Sequence, residues 1–580
     1  MNLELLKGSR SRILAAIILV VVVIFVGRLF YLQVIQHDHY VSLAEEEQMT
    51  RQKIPANRGL IYAKNGDKPV QLVMNETVYT VFVDPAVITK PDVVGDALRE
   101  IAGGNARKNL DELLRRTDTR YQVVANKLTR VQADKLKEKN FYGVGFQAMT
   151  QRVYPEGQLA AQVLGFVDTE GQGKYGVESY LQDTLKGIDG RLESVTDVRD
   201  VPLTIGNRNI DIKPEHGKNV VLSIDRNIQS KAEQALAAGL QRTGATKGSI
   251  LAMDPNTGKV LAMANLPTYS PGEYFKVEDI AAFNNGTISN PYEPGSVIKP
   301  FTLAVGIDKG VVKPTDTYLN TDSIRVEDQV IGNATKGRTG NITFQTALDW
   351  SLNTGMVTVA QRLGDGKNIT RSARDTMFQY FNERLRLGKV TGVELAGESK
   401  GDVISPEETE GNAVRYSNMS FGQGFTATMV QVAAGFSALV NGGNYYQPTV
   451  LDGYVDTEGE YKQGDTPKPL VTGVVSKSTS DQIADMVHKA RASSFGSADK
   501  QGYVIGGKTG TSQVAVAGGY SKTDTIATYL GFGGGSTPEY VIMVSISGEN
   551  KEFQGARDVL PIFTDMSNWM IDYLKIQPKG

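Results

Sequence analysis

Tyr292-Glu293-Pro294-Gly295-Ser296-Val297-Ile298-Lys299-Pro300-Phe301 decides how the rest of the chain is read. Pro294-Gly295 breaks whatever precedes it, and the residues that follow read as a helix start. Ser296 and Lys299 then stand at i and i+3 on one helical face. A serine hydroxyl is a poor nucleophile until a base takes its proton. An amine can be that base if burial or a neighbouring cation lowers its pKa. A helix N-terminus directed at the serine favours developing negative charge. Ser-x-x-Lys is also a common chance pattern, and an exposed helix start with a solvated lysine is written with the same letters.

Two further segments lie downstream. Ser351-Leu352-Asn353-Thr354-Gly355 follows the apolar-spaced stretch Phe344–Trp350. Ser351 offers a hydroxyl that can pass a proton, and Asn353 an amide that can orient a lysine or a substrate carbonyl. A helix cap or a loop would use the same residues. Gly506-Gly507-Lys508-Thr509-Gly510-Thr511-Ser512-Gln513 follows Tyr503-Val504-Ile505 and reads as a strand. Its glycines are expected to leave one side open to another backbone, so that an extended peptide could lie along the edge. Lys508 supplies charge there, and Thr509 and Thr511 supply hydroxyls for a terminal carboxylate. Gly502 to Thr509 also satisfies the phosphate-loop pattern G-x-x-x-x-G-K-[ST] letter for letter. Context rejects that reading: β-forming Tyr503, Val504 and Ile505 fall inside the supposed loop, and Gly-Thr-Ser-Gln-Val-Ala-Val has little helix periodicity.

Composition narrows the chemistry. The 580 residues suggest about three to five units. The 62 basic and 64 acidic residues give a net charge of −2, without the basic excess of a nucleic-acid binder. Charged residues at 22% and hydrophobic residues at 40% fit a folded globular chain. Cysteine is absent, which excludes disulfides, thiolate zinc sites, iron–sulfur clusters and a cysteine nucleophile. The four histidines are His37, His39, His216 and His488, none in a metal-binding spacing and none in the three segments above.

Ile13 to Ile35 is apolar except for a few positions such as Arg28, and as a helix it would extend about 34 Å. Lys7, Arg10 and Arg12 precede it, and Asp38 and Glu45-Glu46-Glu47 follow, so the N-terminus is expected in the cytoplasm and the remainder outside. No small-x-small cleavage site follows the run, which favours an uncleaved anchor over a signal peptide. The module plan is a cytoplasmic tail at 1–12, an anchor at 13–35, a pedestal at 36–225 and a catalytic domain at 226–580. Leu72–Val83 is β-rich, and Val93–Leu114 is helix-like with a break at Gly103-Gly104. A strand is expected to end near Asp225 and a helix to follow. Ser249–Met253 and Val260–Ala264 read as a hairpin, Thr525–Phe532 and Tyr540–Ile546 as late strands, and Phe563–Leu574 as a closing helix. Strands at both ends of this domain are expected to share one sheet.

Ser-x-x-Lys, Ser-x-Asn and Lys-Thr-Gly in this order resemble the penicillin-binding protein and serine β-lactamase superfamily. Ala252–Met263 is similar to the opening hairpin of its transpeptidase domains, and Thr391–Glu398 and Ser420-Phe421-Gly422-Gln423-Gly424 to segments between the second and third motifs. Arg58–Gly66 resembles the class B pedestal motif, departing from it at Ala63 and Lys64. Arg152-Val153-Tyr154-Pro155, with Gly157 and Gly165, and Gly173–Glu178 match further pedestal motifs. The resemblance covers about residues 13–575 and includes no glycosyltransferase segment, which points to a monofunctional class B protein, nearer the division type than the elongation type.

The resemblance implies an α+β fold: an antiparallel sheet flanked by helices, with an elongated N-terminal pedestal and one transmembrane helix. It implies a peptidoglycan DD-transpeptidase in which Ser296 attacks the carbonyl between the last two D-alanines of a stem peptide. Lys299 would be the base, helped by Ser351, with Lys508 keeping the potential positive. Asn353 would position Lys299 and the substrate amide, while Thr509, Gly510 and Thr511 would line the substrate. The backbone N–H groups of Ser296 and Thr511 would hold the oxyanion. No cofactor is implied. β-Lactams would acylate Ser296, and a polymerase of the SEDS type and other division proteins would be membrane partners. An elongation-type transpeptidase, a serine β-lactamase or DD-carboxypeptidase using water, and a β-lactam sensor or structural partner remain as alternatives.

Overall fold

The computed structural model describes residues 9–40, 49–66, 68–195, 210–516 and 519–579. The chain divides into two compact units, Met1–Arg58 with Lys186–Gly217, and Gly59–Leu185 with Lys218–Gly580. In the first, Arg10–Ile35 is one helical stretch of 26 residues, long and apolar enough to cross a membrane. Its last turn, Tyr31–Ile35, is π-helical. Its large apolar side chains are exposed, which fits a single-pass anchor with lipid around it. Lys7 and Glu45-Glu46-Glu47, used above to orient the run, lie outside the described residues. The same unit holds an antiparallel three-stranded sheet of Met49–Ile54, Gly190–Val195 and Ile210–Ile212.

The second unit is built on two sheets. The central one has five antiparallel strands: β1 (Lys247–Met253), β2 (Val260–Leu266), β3 (Val504–Val516), β4 (Gly519–Gly534) and β5 (Pro538–Ser547), in the order β2-β1-β5-β4-β3. The early hairpin and the late strands therefore share a sheet through β1 and β5, where Leu251 pairs with Met543. Side chains alternate between the two faces. Ile250, Ala252, Ile542 and Val544 pack with α1 (Arg226–Thr243), whereas Leu251, Met253 and Met543 join the larger core on the other side. Asp225 caps α1 by accepting from the N–H groups of Asn227 and Ile228. On the larger-core side lie α2 (Lys299–Asp308), α3 (Asn353–Arg362), α4 (Met429–Val440) and α5 (Lys477–Phe495). The whole of α4 is buried, as a helix that is apolar all round must be. Leu560–Tyr573, α6, closes the domain on the α1 face.

The other sheet has seven strands. Its order is Tyr461–Gln463, Leu451–Val455, Asn219–Asp225, Ile61–Asn65, Lys68–Val83 and Gln122–Leu128, with Val144–Val153 also paired to Lys68–Val83. Asn219–Asp225 runs parallel to Ile61–Asn65 and antiparallel to Leu451–Val455. This sheet thus takes strands from both sides of residue 225. The helix-like stretch after it is two helices, Pro91–Ala102 and Leu110–Arg115, separated at Gly103–Asn105. The pedestal motifs meet: Arg152 bonds Glu178 at 2.8 Å with both side chains nearly inaccessible. A Cβ on Gly176 would stand 2.3 Å from the Val163 carbonyl oxygen, so this position admits only glycine.

Candidate active site

Gly295 takes φ +65° and donates its N–H to the Gly422 carbonyl at 2.9 Å. The chain then winds through a 3₁₀ turn, Gly295–Ile298, before α2 begins at Lys299. Three residues per turn stack i above i+3, so Ser296 and Lys299 share one side of the turn. Ser296 is half-buried, and Lys299 is 0% exposed. The Lys299 ammonium or amine donates to the Ser351 carbonyl at 2.5 Å and to Ser351 Oγ at 3.1 Å.

Ser351 sits in the break between the helix Phe344–Asp349 and α3, in the left-handed region at φ +57°. A non-glycine residue held there carries strain that its surroundings must offset. The Ser351 and Leu352 N–H groups close back on Leu348 and Ala347 at 3.1 and 2.8 Å. Asn353 opens α3 and donates its amide to the Gly332 carbonyl at 2.9 Å, next to a hairpin of Ser323–Val326 and Gln329–Gly332. The hydrogen bonds of Lys299 among the described residues go to Ser351, not to Asn353.

The third segment is β3, an edge strand of the central sheet, with Lys508 paired to Leu530 and Thr509 to Tyr529. The strand runs unbroken through Lys508-Thr509, which excludes a phosphate loop needing a helix there. One expectation is corrected here. The glycines do not leave a face open to a peptide. A Cβ on Gly506 would meet the Phe532 ring at 2.5 Å, on Gly507 the Tyr529 ring at 2.4 Å, and on Gly510 Thr528 Oγ1 at 2.2 Å. They are small so that neighbouring side chains of this protein fit. What remains free for another backbone is the strand's edge. Gly510 also lies against the nucleophile turn: its Cβ would be 3.0 Å from Val297 and 3.1 Å from the Pro294 oxygen. The Ser296 turn, the Ser351 break and β3 therefore converge.

Lys508 is 5% exposed and donates to Thr509 O and Oγ1, both at 3.2 Å. Burial lowers its pKa to about 8, partly opposed by the Asp349 carboxylate. Burial holds Lys299 well below the ordinary lysine range, and the Lys508 charge lowers it further. Thr511 Oγ1 accepts from the Gly555 N–H at 3.3 Å.

Asp349 escaped sequence reading, and so did the contacts of Glu293 and Gly422. Asp349 is raised by burial, held down by its bond from Gln345 at 2.8 Å and by the Lys508 charge. Glu293, inside the opening stretch, accepts from the Gly424 N–H at 2.8 Å and the Tyr520 hydroxyl at 3.0 Å. Gly422, at φ +94°, would carry a Cβ 1.9 Å from the Gly295 oxygen, so Ser420–Gly424 is a buttress of the serine turn.

The family model "Penicillin binding protein transpeptidase domain" matches residues 248–568, and "Penicillin-binding Protein dimerisation domain" matches residues 53–222. Stage V sporulation protein D of Bacillus subtilis is 27% identical over 577 residues, covering 98% of this chain and 87% of that protein. Peptidoglycan D,D-transpeptidase FtsI of Escherichia coli is 27% identical over 586 residues, covering 98% and 92%. Among solved structures, penicillin binding protein 3 of Mycobacterium tuberculosis complexed with aztreonam aligns with a TM-score of 0.66 at 24% identity, covering 91% of this chain and 98% of that one. Penicillin Binding Protein 2X of Streptococcus thermophilus aligns with a TM-score of 0.73 at 22% identity, covering 91% and 80%.

Proposed function

We infer that this chain, which belongs to the class B penicillin-binding proteins by its dimerisation and transpeptidase domains, forms its acyl-enzyme on Ser296. It is a serine-type peptidoglycan D,D-transpeptidase. One observation carries the assignment of residues: Lys299, one turn after Ser296, is fully buried and hydrogen-bonded to Ser351, with no acid paired to it among the described residues. Burial disfavours the charged form of this amine, which makes it a candidate to accept the Ser296 proton.

Ser296 Oγ attacks the carbonyl between the terminal D-alanines of a stem peptide while Lys299 takes its proton. Ser351 relays a proton from Lys299 toward the departing amine. The oxyanion lies against the N–H groups of Ser296 and Thr511, where fixed donors act at no reorganisation cost. Lys508, protonated below about pH 8, keeps the potential positive for the substrate carboxylate, which Thr509 and Thr511 receive at the edge of β3 beside Gly510. D-Alanine leaves, and an amine of a neighbouring stem attacks the ester to make the cross-link. Asn353, fixed by Gly332, faces substrate rather than Lys299 in this scheme.

The module plan is a tail at 1–12, an anchor at 13–35, a pedestal at 36–225 and a transpeptidase domain at 226–580; the matched domains fall within the last two. Arg10 and Arg12 before the anchor support a catalytic domain outside the cytoplasm. Septal wall synthesis beside a SEDS-type polymerase follows from the motif resemblance. Incubating the purified full-length protein with a penicillin tests the central assignment. The intact mass should rise by one penicillin, the adduct should map to the peptide bearing Ser296, and Ser296→Ala should abolish it. An adduct elsewhere, or rapid release of hydrolysed penicillin, would contradict it.

A further inference from the structure

Trp350 immediately precedes Ser351 and leaves 39% of its surface exposed. The Arg338 guanidinium lies over its indole, 4.4 Å from the ring centroid. Arg338 is held from behind: the buried Asn320 amide donates to its carbonyl at 2.6 Å, and Asn320 Oδ1 accepts from Thr354 Oγ1 at 2.9 Å. One buried side chain thus ties the Arg338 loop to the start of α3.

Two other stacked arginines differ. Arg362 over Phe344 and Arg384 over Tyr380 each donate to a backbone carbonyl, of Thr317 and Val474 respectively. The Arg338 side chain has neither a carboxylate nor a carbonyl partner among the described residues. It is an exposed planar cation, stacked on the aromatic ring of the residue that immediately precedes Ser351. That geometry suits bidentate binding of a carboxylate, and stacking has already restricted the side chain, so less freedom is lost on binding.

We propose that Arg338 and Trp350 form a subsite for a carboxylate of the peptidoglycan stem peptide, distinct from the terminal carboxylate received by β3. The indole supports the peptide's apolar stem, and the guanidinium pairs with the anion. Two anchoring points fix the peptide's direction across Ser296, which one cannot do. This subsite rests on the transpeptidase reading above.

Trp350 and Trp569 are the two tryptophans of the chain, and Trp569 stacks on Tyr573 away from these residues. In full-length protein carrying Trp569→Phe and Ser296→Ala, Trp350 fluorescence reports binding without turnover. The probes are a pentapeptide ending in D-alanyl-D-alanine with one free upstream carboxylate, and the same peptide with that group as a primary amide. The carboxylate peptide should bind about tenfold more tightly, a gap that Arg338→Gln erases and Arg338→Lys retains in part. A third peptide, with the carboxylate but without D-alanyl-D-alanine, separates the sources: equal affinity assigns the subsite to the acceptor stem, weaker affinity to the donor. Equal binding of the first two peptides, no binding of either, or a preference that survives Arg338→Gln would overturn the proposal. Penicillin acylation of the parent protein is measured separately, so failure of the transpeptidase reading would be seen on its own.

Discussion

Two fully buried cations, Lys299 on α2 and Arg491 on α5, behave in opposite ways. Among the described residues Lys299 bonds only to the carbonyl and hydroxyl of Ser351, and a second cation, Lys508, lowers its proton affinity. Arg491, on α5, is also 0% exposed at its side chain but is paired with Asp499, and it further donates to the Tyr529 hydroxyl at 2.6 Å and Thr564 Oγ1 at 2.9 Å. Its pKa is raised although burial, the largest influence, works the other way. Burial without a counter-charge produces a neutral amine able to act as a base. Burial with a counter-charge and satisfied donors produces a fixed strut, here under the ring of Tyr529 that fills the space beneath Gly507.

Replacing each cation by methionine separates the two roles. Lys299→Met should lower the rate of penicillin acylation by roughly 10⁴-fold, because the base is gone. Its denaturant midpoint should hold or rise, since an apolar side chain replaces a desolvated amine. Arg491→Met should do the reverse to stability. It strands Asp499, only 12% exposed at its side chain, and should cost about 3 kcal/mol in equilibrium unfolding. Equal destabilisation by both variants would break the comparison.

A smaller effect lies in pH. Lys508 is protonated below about pH 8, so acylation should fall as pH rises through that value. Lys508→Arg keeps its charge and should move the falling limb upward, read from acylation rates between pH 6 and 10. Stability moves the other way with pH. Because the unfolded lysine keeps its proton to about 10.4 and the folded one to about 8, the unfolded state binds more protons in between, and stability grows as pH rises across that window.

Local signals made much of this legible. The Pro294-Gly295 break, the passage from strand to helix at Asp225 and the apolar runs of β1 and β5 are written in adjacent residues, and the elements formed there. The interruption at Gly103-Gly104 was equally local. What sequence did not disclose is set by partners far along the chain. The glycines of β3 serve Phe532, Tyr529 and Thr528, which lie on the neighbouring strand β4. Asn353 is tied to Gly332 because a hairpin folds back on α3. Ser351 occupies a left-handed backbone position although it is not the residue type that favours one. The seven-stranded sheet mixes strands from both sides of residue 225, a pairing that no period or turn motif could reveal.

The central claim is that Lys299 gives up its proton far more readily than an ordinary lysine. Nitrogen-15 NMR of lysine side-chain amines in the detergent-solubilised full-length protein measures this directly, with Lys299 assigned by its loss in Lys299→Met. The Lys299 resonance should titrate well below the ordinary lysine range, whereas a midpoint near 10.4 would contradict the account.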